Sequence, residues 1–222
     1  MKIEAVTVCI DFADKLKQVI SNKNKLDRWV IATHTSDNDT INLCIENNIE
    51  YICSDRVFDN ASFAKGRAIN DALEILDKDD WLLHLDADQL LPKNFRDIIV
   101  SECNDTTKLY GCKREDSSGK IMDYGQKQVT WSVRGGKIRA NRKQLILPIG
   151  YFQLWHSSIR KTYFENSETG DKDDMTFMNY WLRMSPDIKQ NIKILSANTQ
   201  DVSEHQGHYR GHFVGIRNLK QK

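Results

Sequence analysis

No run of about 18 consecutive apolar residues occurs in this chain, which leaves no candidate for a membrane-spanning helix. The opening Met1–Ile10 also lacks the marks of a cleavable leader: its apolar stretch contains Glu4, and no small-residue cleavage site is present. A mature cytoplasmic chain is expected. Cysteine is sparse and unpatterned. The five residues Cys9, Cys44, Cys53, Cys103 and Cys112 form an odd number without a Cys-x-x-Cys pair. This argues against a disulfide framework and a structural zinc site, and predicts buried thiols. Internal repeats and low-complexity segments are absent, and the net charge is only +1.

What is there is ordinary for a soluble globular protein: 222 residues, 40% of them hydrophobic and 28% charged, enough for one large core. One domain over 1–222 is expected, but its halves differ. Residues 1–110 carry 13 Lys and Arg against 20 Asp and Glu, net −7, whereas residues 111–222 carry 19 against 11, net +8. Segment 113–143 concentrates nine cations (Lys113, Arg114, Lys120, Lys127, Arg134, Lys137, Arg139, Arg142, Lys143) against Glu115, Asp116 and Asp123. It reads as a solvated polar face with its own counterions, or as an anion-binding surface for a diphosphate or a polyanionic acceptor.

The first half alternates strand and helix patterns. Ala5–Ile10, Arg28–Thr33, Ile49–Cys53 and Trp81–Leu85 are short apolar runs, and helical spacing falls at Asp14–Ile20, Thr40–Asn47 and Ala64–Leu76. Such a repeat predicts a mostly parallel sheet flanked by helices. From about Tyr110 glycines punctuate shorter runs, Gln128–Val133 and Gln144–Ile149, which predict antiparallel hairpins. Met175–Met184 reads as a helix and Lys189–Leu195 as a last strand.

Where the fourth apolar run stops, Trp81-Leu82-Leu83-His84-Leu85 gives way to Asp86-Ala87-Asp88. Ligands of α/β sheets gather outside strand C-termini, and strand alternation would turn both acids to one face. Two carboxylates there suit a hard cation, Mg²⁺ or Mn²⁺, and through it a phosphate. The alternative is a pair of loop acids or a helix cap. Lys65-Gly66-Arg67 opens the Ala64–Leu76 helix, a natural anion site, while Ala64, Ala68, Ala72, Ile69, Leu73 and Leu76 form a stripe for packing. Lys65 and Arg67 lie off that stripe.

The succession of an opening strand followed by Asp11, the Lys65-Gly66-Arg67-Ala68-Ile69-Asn70-Asp71-Ala72 helix start and the strand ending in Asp86-Ala87-Asp88 resembles the N-terminal half of GT-A-type glycosyltransferases, in particular glycosyltransferase family 2. The resemblance covers residues 3–100. It implies an α/β, Rossmann-like nucleotide-diphospho-sugar transferase fold, with a mostly parallel central sheet and a smaller antiparallel acceptor-side portion. Residues 1–110 would be the nucleotide-sugar half, and 111–222 the acceptor half with a C-terminal metal-ligand segment. The resemblance further implies that Asp11, Lys65, Arg67, Asn70 and Asp86 meet a nucleotide-sugar donor, with UDP expected, and that Asp86 and Asp88 hold Mn²⁺ or Mg²⁺.

The second half resembles the family in fewer places. Within Glu168–Phe177, Asp174, with Asp173 next, takes the position of the catalytic base of inverting members; otherwise the pair caps a helix. His205-Gln206-Gly207-His208 resembles the late segment that supplies a third metal ligand, first His205 and then His208, unless these histidines belong to an exposed tail. A nitrogen ligand would favour Mn²⁺. Gly150–His156 falls at the floor of the acceptor pocket or in the core. The Gln-x-x-Arg-Trp motif of processive synthases is missing, so polymer extrusion is not expected. The acceptor, whether glycan, lipid-linked sugar, protein or nucleic acid, is not written in these residues. Two other readings compete. A nucleotidyltransferase of related fold would open with a Gly-rich loop, where this chain has Asp11-Phe12-Ala13-Asp14. A non-catalytic polyanion or nucleic-acid module would use segment 113–143, yet only Tyr124 and Trp131 interleave with its cations.

Overall fold

The computed structural model of the protein describes residues 1–121, 130–134, 137–141, 148, 150–165, 173–184 and 191–203. Its first half is the expected alternation: β1 (Ile3–Val8), α1 (Ala13–Gln18), β2 (Arg28–Thr33), α2 (Asn38–Glu46), β3 (Glu50–Cys53), α3 (Lys65–Glu74) and β4 (Trp81–Leu85). β1 and β4 are buried along their whole length, which is why they read as continuous apolar runs. β1 begins earlier than its sequence pattern indicated, because Ile3 and Glu4 pair with Trp81 and Leu82 of β4.

The chain continues through β5 (Gln89–Leu90), α4 (Phe95–Glu102), β6 (Leu109–Glu115), the hairpin β7 (Thr130–Arg134) and β8 (Lys137–Asn141), then β9 (Phe152–His156), α5 (Asp173–Met184) and β10 (Ile192–Asp201). Eight strands form one sheet in the order β3, β2, β1, β4, β9, β6, β10, β5. Pairings among β1 to β4 and between β6 and β10 are parallel. β9 runs antiparallel between β4 and β6, and β5 antiparallel beside β10. This is the mostly parallel sheet with an antiparallel portion that the sequence implied.

The sheet has a core on each face. On one, Ala68, Ile69, Ala72, Leu73 and Leu76 of the α3 stripe join Val6, Val8, Leu82 and Trp155, together with Phe177 and Trp181 of α5. The ring of Tyr163 stacks on Phe177 at 4.0 Å and 4°. On the other, Phe95 and Ile99 of α4 join Ile3, Ala5, Leu83, Leu85 and Phe152. Each large side chain so buried contributes about 2–3 kcal/mol of transfer free energy.

Several local expectations change. Gly111 reads as punctuation but lies inside β6: a Cβ there would meet Pro148 Cβ at 2.5 Å, so the strand needs glycine for close packing. Four cysteines are buried as expected, but Cys53 is exposed, because β3 is the outermost strand. Of the Gly150–His156 segment, Tyr151, Phe152 and Trp155 are buried in the core. The last strand extends to Asp201, well past Leu195. The run at Gln144–Ile149, apart from Pro148, lies outside the described residues. Among the described residues no helix is long and apolar enough to cross a membrane.

Candidate active site

β4 delivers Asp86 and Asp88 to the C-terminal edge of the sheet, beyond the strand itself, in a tight turn. Asp86 N–H donates to Tyr151 O at 3.1 Å, and Gln89 N–H closes the turn on Asp86 O at 3.2 Å. The C-terminal end of β10 arrives at the same place, where Val202 N–H donates to Asp88 O at 2.9 Å.

Two helix N-termini converge on this edge. Helix starts leave backbone N–H groups unpaired, and that of Gly66 in α3 donates to the buried Asp173 Oδ2 of α5 at 2.7 Å. Asp173 therefore fastens one helix to the other. A Cβ on Gly66 would lie 2.1 Å from Phe164 O, so only glycine permits the approach. Asp174 follows, 8% exposed, and packs against Gly150. Gly150 has φ +42° and a Cβ there would fall 2.0 Å from Asp174 Oδ2.

Lys65, with only 11% of its side chain exposed, joins these acids. Its Nζ is 2.6 Å from Asp86 Oδ1 and 3.8 Å from Asp174 Oδ2. Burial works to lower its pKa, but Asp174 and Asp86 outweigh burial and hold the ammonium above the usual lysine range. Burial pushes the Asp174 carboxyl up to about 7; Lys65 pulls it back, while Asp86 and Asp173 push it further. Asp88 is likewise raised to about 7, by burial first and then by Asp86 and Asp201.

His84 lies beneath, fully buried, with Nε2 3.6 Å from Asp86 Oδ1 and Nδ1 3.7 Å from Asp174 Oδ1. Its protonation follows from its neighbours. Gln153 Nε2 donates to Pro148 O at 2.9 Å and to Asp174 O at 3.2 Å, so its Oε1 must accept, and it does so from Tyr163 OH at 2.5 Å. The Tyr163 oxygen then accepts from His84 Nδ1–H at 3.2 Å. Burial and the charge on Lys65 hold His84 well below the ordinary histidine range, so the ring is neutral and its Nε2 is bare. Among the described residues neither His84 Nε2 nor Asp174 Oδ1 has a hydrogen-bond partner.

The other residues singled out in the sequence divide. Arg67 gives its guanidinium to the carbonyls of Glu165 at 2.8 Å, Arg56 at 2.9 Å and Asp59. Asn70 clamps the same segment, donating to Tyr163 O at 3.0 Å and Glu165 Oε1 at 2.8 Å and accepting from Tyr163 N–H at 2.8 Å. Of the three helix-start residues, Lys65 alone touches the carboxylates. Asp11 sits past β1 with φ 61°, its N–H donating to Asp37 Oδ2 at 2.8 Å. Asp37 in turn caps α2 by accepting from Thr40 N–H at 3.1 Å. His205 and His208 lie outside the described residues.

Sequence reasoning did not single out His84 or Tyr163, and took in Gly150 and Gln153 only as part of the Gly150–His156 segment. It also missed the ion pair of Arg114 Nη1 with Asp201 Oδ2 at 3.0 Å, which flanks Asp88 and carries the Arg114 guanidinium over the Tyr151 ring. A histidine inside an otherwise apolar strand was the one visible signal.

No family model and no curated protein matches the chain. Solved structures do. Glucosyl-3-phosphoglycerate synthase from Mycobacterium tuberculosis, crystallised with Mn²⁺, UDP-glucose and phosphoglyceric acid, superposes with a TM-score of 0.64 at 13% identity, over 95% of this chain and 74% of that one. S. aureus TarS 1–349 gives 0.58 at 12% identity, over 92% of this chain and 59% of that one, so the present chain spans well under two thirds of its length. The 4-diphosphocytidyl-2C-methyl-D-erythritol synthase of Anaerococcus prevotii gives 0.52 at 11% identity, over 99% and 93%. The protein has the GT-A fold. In this GT-A sheet the Asp-Ala-Asp turn, the Lys65 helix start and the Asp173-Asp174 helix start, distant in sequence, share one edge.

Among the described residues no three His, Cys, Asp or Glu side chains form a ready metal cluster. The donor set nonetheless fits a hard divalent cation. Asp88 is crowded by the carboxylates of Asp86 and Asp201, while Gln89 Nε2 donates to its Oδ1 at 2.9 Å. Such surplus negative charge on oxygen donors is what Mg²⁺ or Mn²⁺ neutralises.

Proposed function

We propose that this protein is a metal-dependent glycosyltransferase that moves a sugar from a nucleotide-sugar donor, UDP-linked, to an acceptor hydroxyl with inversion. The observation that carries the reading is the meeting of Lys65, Asp86 and Asp174 at the C-terminal edge of the sheet, with Lys65 Nζ 2.6 Å from one acid and 3.8 Å from the other. Asp86 and Asp88 would hold Mn²⁺ or Mg²⁺. His205, or else His208, would complete the ligand set, and His205 follows Val202, the residue bonded to Asp88 O, by three positions. When bound, the cation supplies charge neutralisation to the departing diphosphate. Lys65 is placed to share that work. Asp174 is the base: its carboxyl, raised to about 7, suits proton removal from an acceptor hydroxyl near neutral pH. Asp173, locked onto Gly66, holds Asp174 in position rather than reacting.

The M. tuberculosis neighbour, crystallised with Mn²⁺ and UDP-glucose, supports the donor class. The expected result of a thermal-shift panel of UDP-, GDP-, CMP- and dTDP-sugars is stabilisation by UDP-sugars that depends on Mn²⁺. Release of UDP in the presence of acceptor should vanish in Asp88→Ala, and full activity in that variant refutes the assignment. The A. prevotii likeness keeps a nucleotidyltransferase as the second reading. Pyrophosphate release from a nucleoside triphosphate and a sugar phosphate would decide for it. Retention on heparin or DNA with no uptake of any nucleotide sugar would decide for a polyanion-binding module instead.

A further inference from the structure

Asp86 and Asp174 share a single cation. Among the described residues Lys65 is the only lysine or arginine within ion-pair reach of either, at 2.6 Å from Asp86 Oδ1 and 3.8 Å from Asp174 Oδ2. The imidazole of His84 lies between the same acids, at 3.6 and 3.7 Å. The Gln153–Tyr163 chain fixes it as a neutral ring with a bare Nε2, so it lends neither acid a charge. Asp173 adds negative charge to Asp174 and spends its own Oδ2 on Gly66. One ammonium thus serves two carboxylates, Asp174 buried and Asp86 partly exposed, and is strongly bonded to only one.

We propose that Lys65 is an exchangeable counter-ion: it occupies Asp86 in competition with a divalent cation and, once that carboxylate is taken, closes on Asp174. The inference rests on the reading of Asp86 and Asp88 as metal ligands. Lysine suits the task, being a compact point charge on a flexible stem. A displacement of Nζ of about 1 Å would convert the 3.8 Å approach to Asp174 into a direct hydrogen bond. Filling the donor site would then give Asp174 the counter-charge it lacks.

The test uses Mn²⁺ alone, with free ion followed by electron paramagnetic resonance at one fixed neutral pH, and no nucleotide. Wild type, K65Q, D174N and D88N are compared. K65Q removes the competitor and should bind Mn²⁺ roughly tenfold more tightly. D174N leaves Lys65 nowhere else to go, and should bind roughly threefold more weakly. Opposite signs are the signature, because general loosening of the site would weaken both. Unchanged or weaker binding by K65Q, or unchanged or tighter binding by D174N, overturns the exchange. If K65Q loses its native circular dichroism, K65M carries the same comparison. Wild type that binds no Mn²⁺, or binds it as poorly as D88N, overturns the metal reading itself. Binding that needs Asp88 but ignores Lys65 sinks the exchange alone.

Discussion

The two ends of the same parallel strands, β1 and β4, both carry clusters of charge, and they are built differently. At the N-terminal end Glu4 is buried but fully served. It accepts the N–H groups of Asp77 at 3.2 Å and Lys78 at 2.7 Å, with Lys2 Nζ 3.7 Å and Arg28 Nη1 3.9 Å away. Asp77 has its own partner in Lys2 at 2.6 Å, and Glu50 takes two bonds from Arg28, each 2.7 Å. At the C-terminal end, among the described residues, one lysine attends two acids, and Asp174 Oδ1 and His84 Nε2 have no hydrogen-bond partner. Burying polar atoms without partners costs about 1–3 kcal/mol each. Among the described residues the charge balance closes at one end and stays open at the other, and the open end is the one at which the proposed function puts the ligand.

Breaking the open end should hurt activity most. Asp88→Asn is expected to lower Mn²⁺-dependent UDP release by about two to three orders of magnitude, with little change in the urea midpoint. Comparable rates for variant and wild type would make the two ends equivalent and remove the contrast. Next comes Gly150→Ala, which forces a Cβ onto Asp174 Oδ2 at 2.0 Å with φ +42°. A loss of about 3 kcal/mol in urea denaturation is expected.

The pH dependence is smaller. A base must be deprotonated to act, and Asp174 is raised to about 7 in the ligand-free protein, so kcat/KM should rise with pH through that value. Between pH 6 and 8 the gain is roughly tenfold. A rate already flat from pH 5 upward would show Asp174 ionised well below neutrality, or idle. Tyr163→Phe strands Gln153 Oε1 and His84 Nδ1 in the core, at an expected cost of about 2 kcal/mol by chemical denaturation. Least affected is the closed end. Glu50→Gln should shift stability by no more than about 0.5 kcal/mol, since the Arg28–Glu50 pair faces solvent and salt screens it. A loss there of more than about 2 kcal/mol would mean the N-terminal cluster is as tightly coupled as a buried one.

The parts of this edge that could be read from the sequence are those announced by a change of element. Asp86 and Asp88 stand where an apolar run stops, Lys65 where a helical stripe begins, and Asp173 and Asp174 at another helix start. Each signal is local. Gln153, Tyr163 and Gly150 were silent because their roles depend on partners brought together by the fold: Tyr163 meets His84 from 79 residues away. For the same reason Arg67 and Asn70 looked alike to Lys65 on paper, since only the fold lays residues 163–165 across them. The parallel order of β1 to β4 followed from strand and helix alternation. The intrusion of β9 did not, since it comes from a segment whose aromatic residues suit a core or a pocket equally well.

That reversed strand has a consequence for how the protein is made. Until Phe152–His156 has left the ribosome, the flank of Trp81–Leu85 has nothing to pair with, and a nascent chain bearing the first four strands exposes a bare apolar β-edge. Biosynthesis therefore passes through a sticky stage some seventy residues long, during which holdase chaperones would find their binding surface. Fragments cut before Phe152 would keep that liability permanently and come out of expression hosts as aggregates.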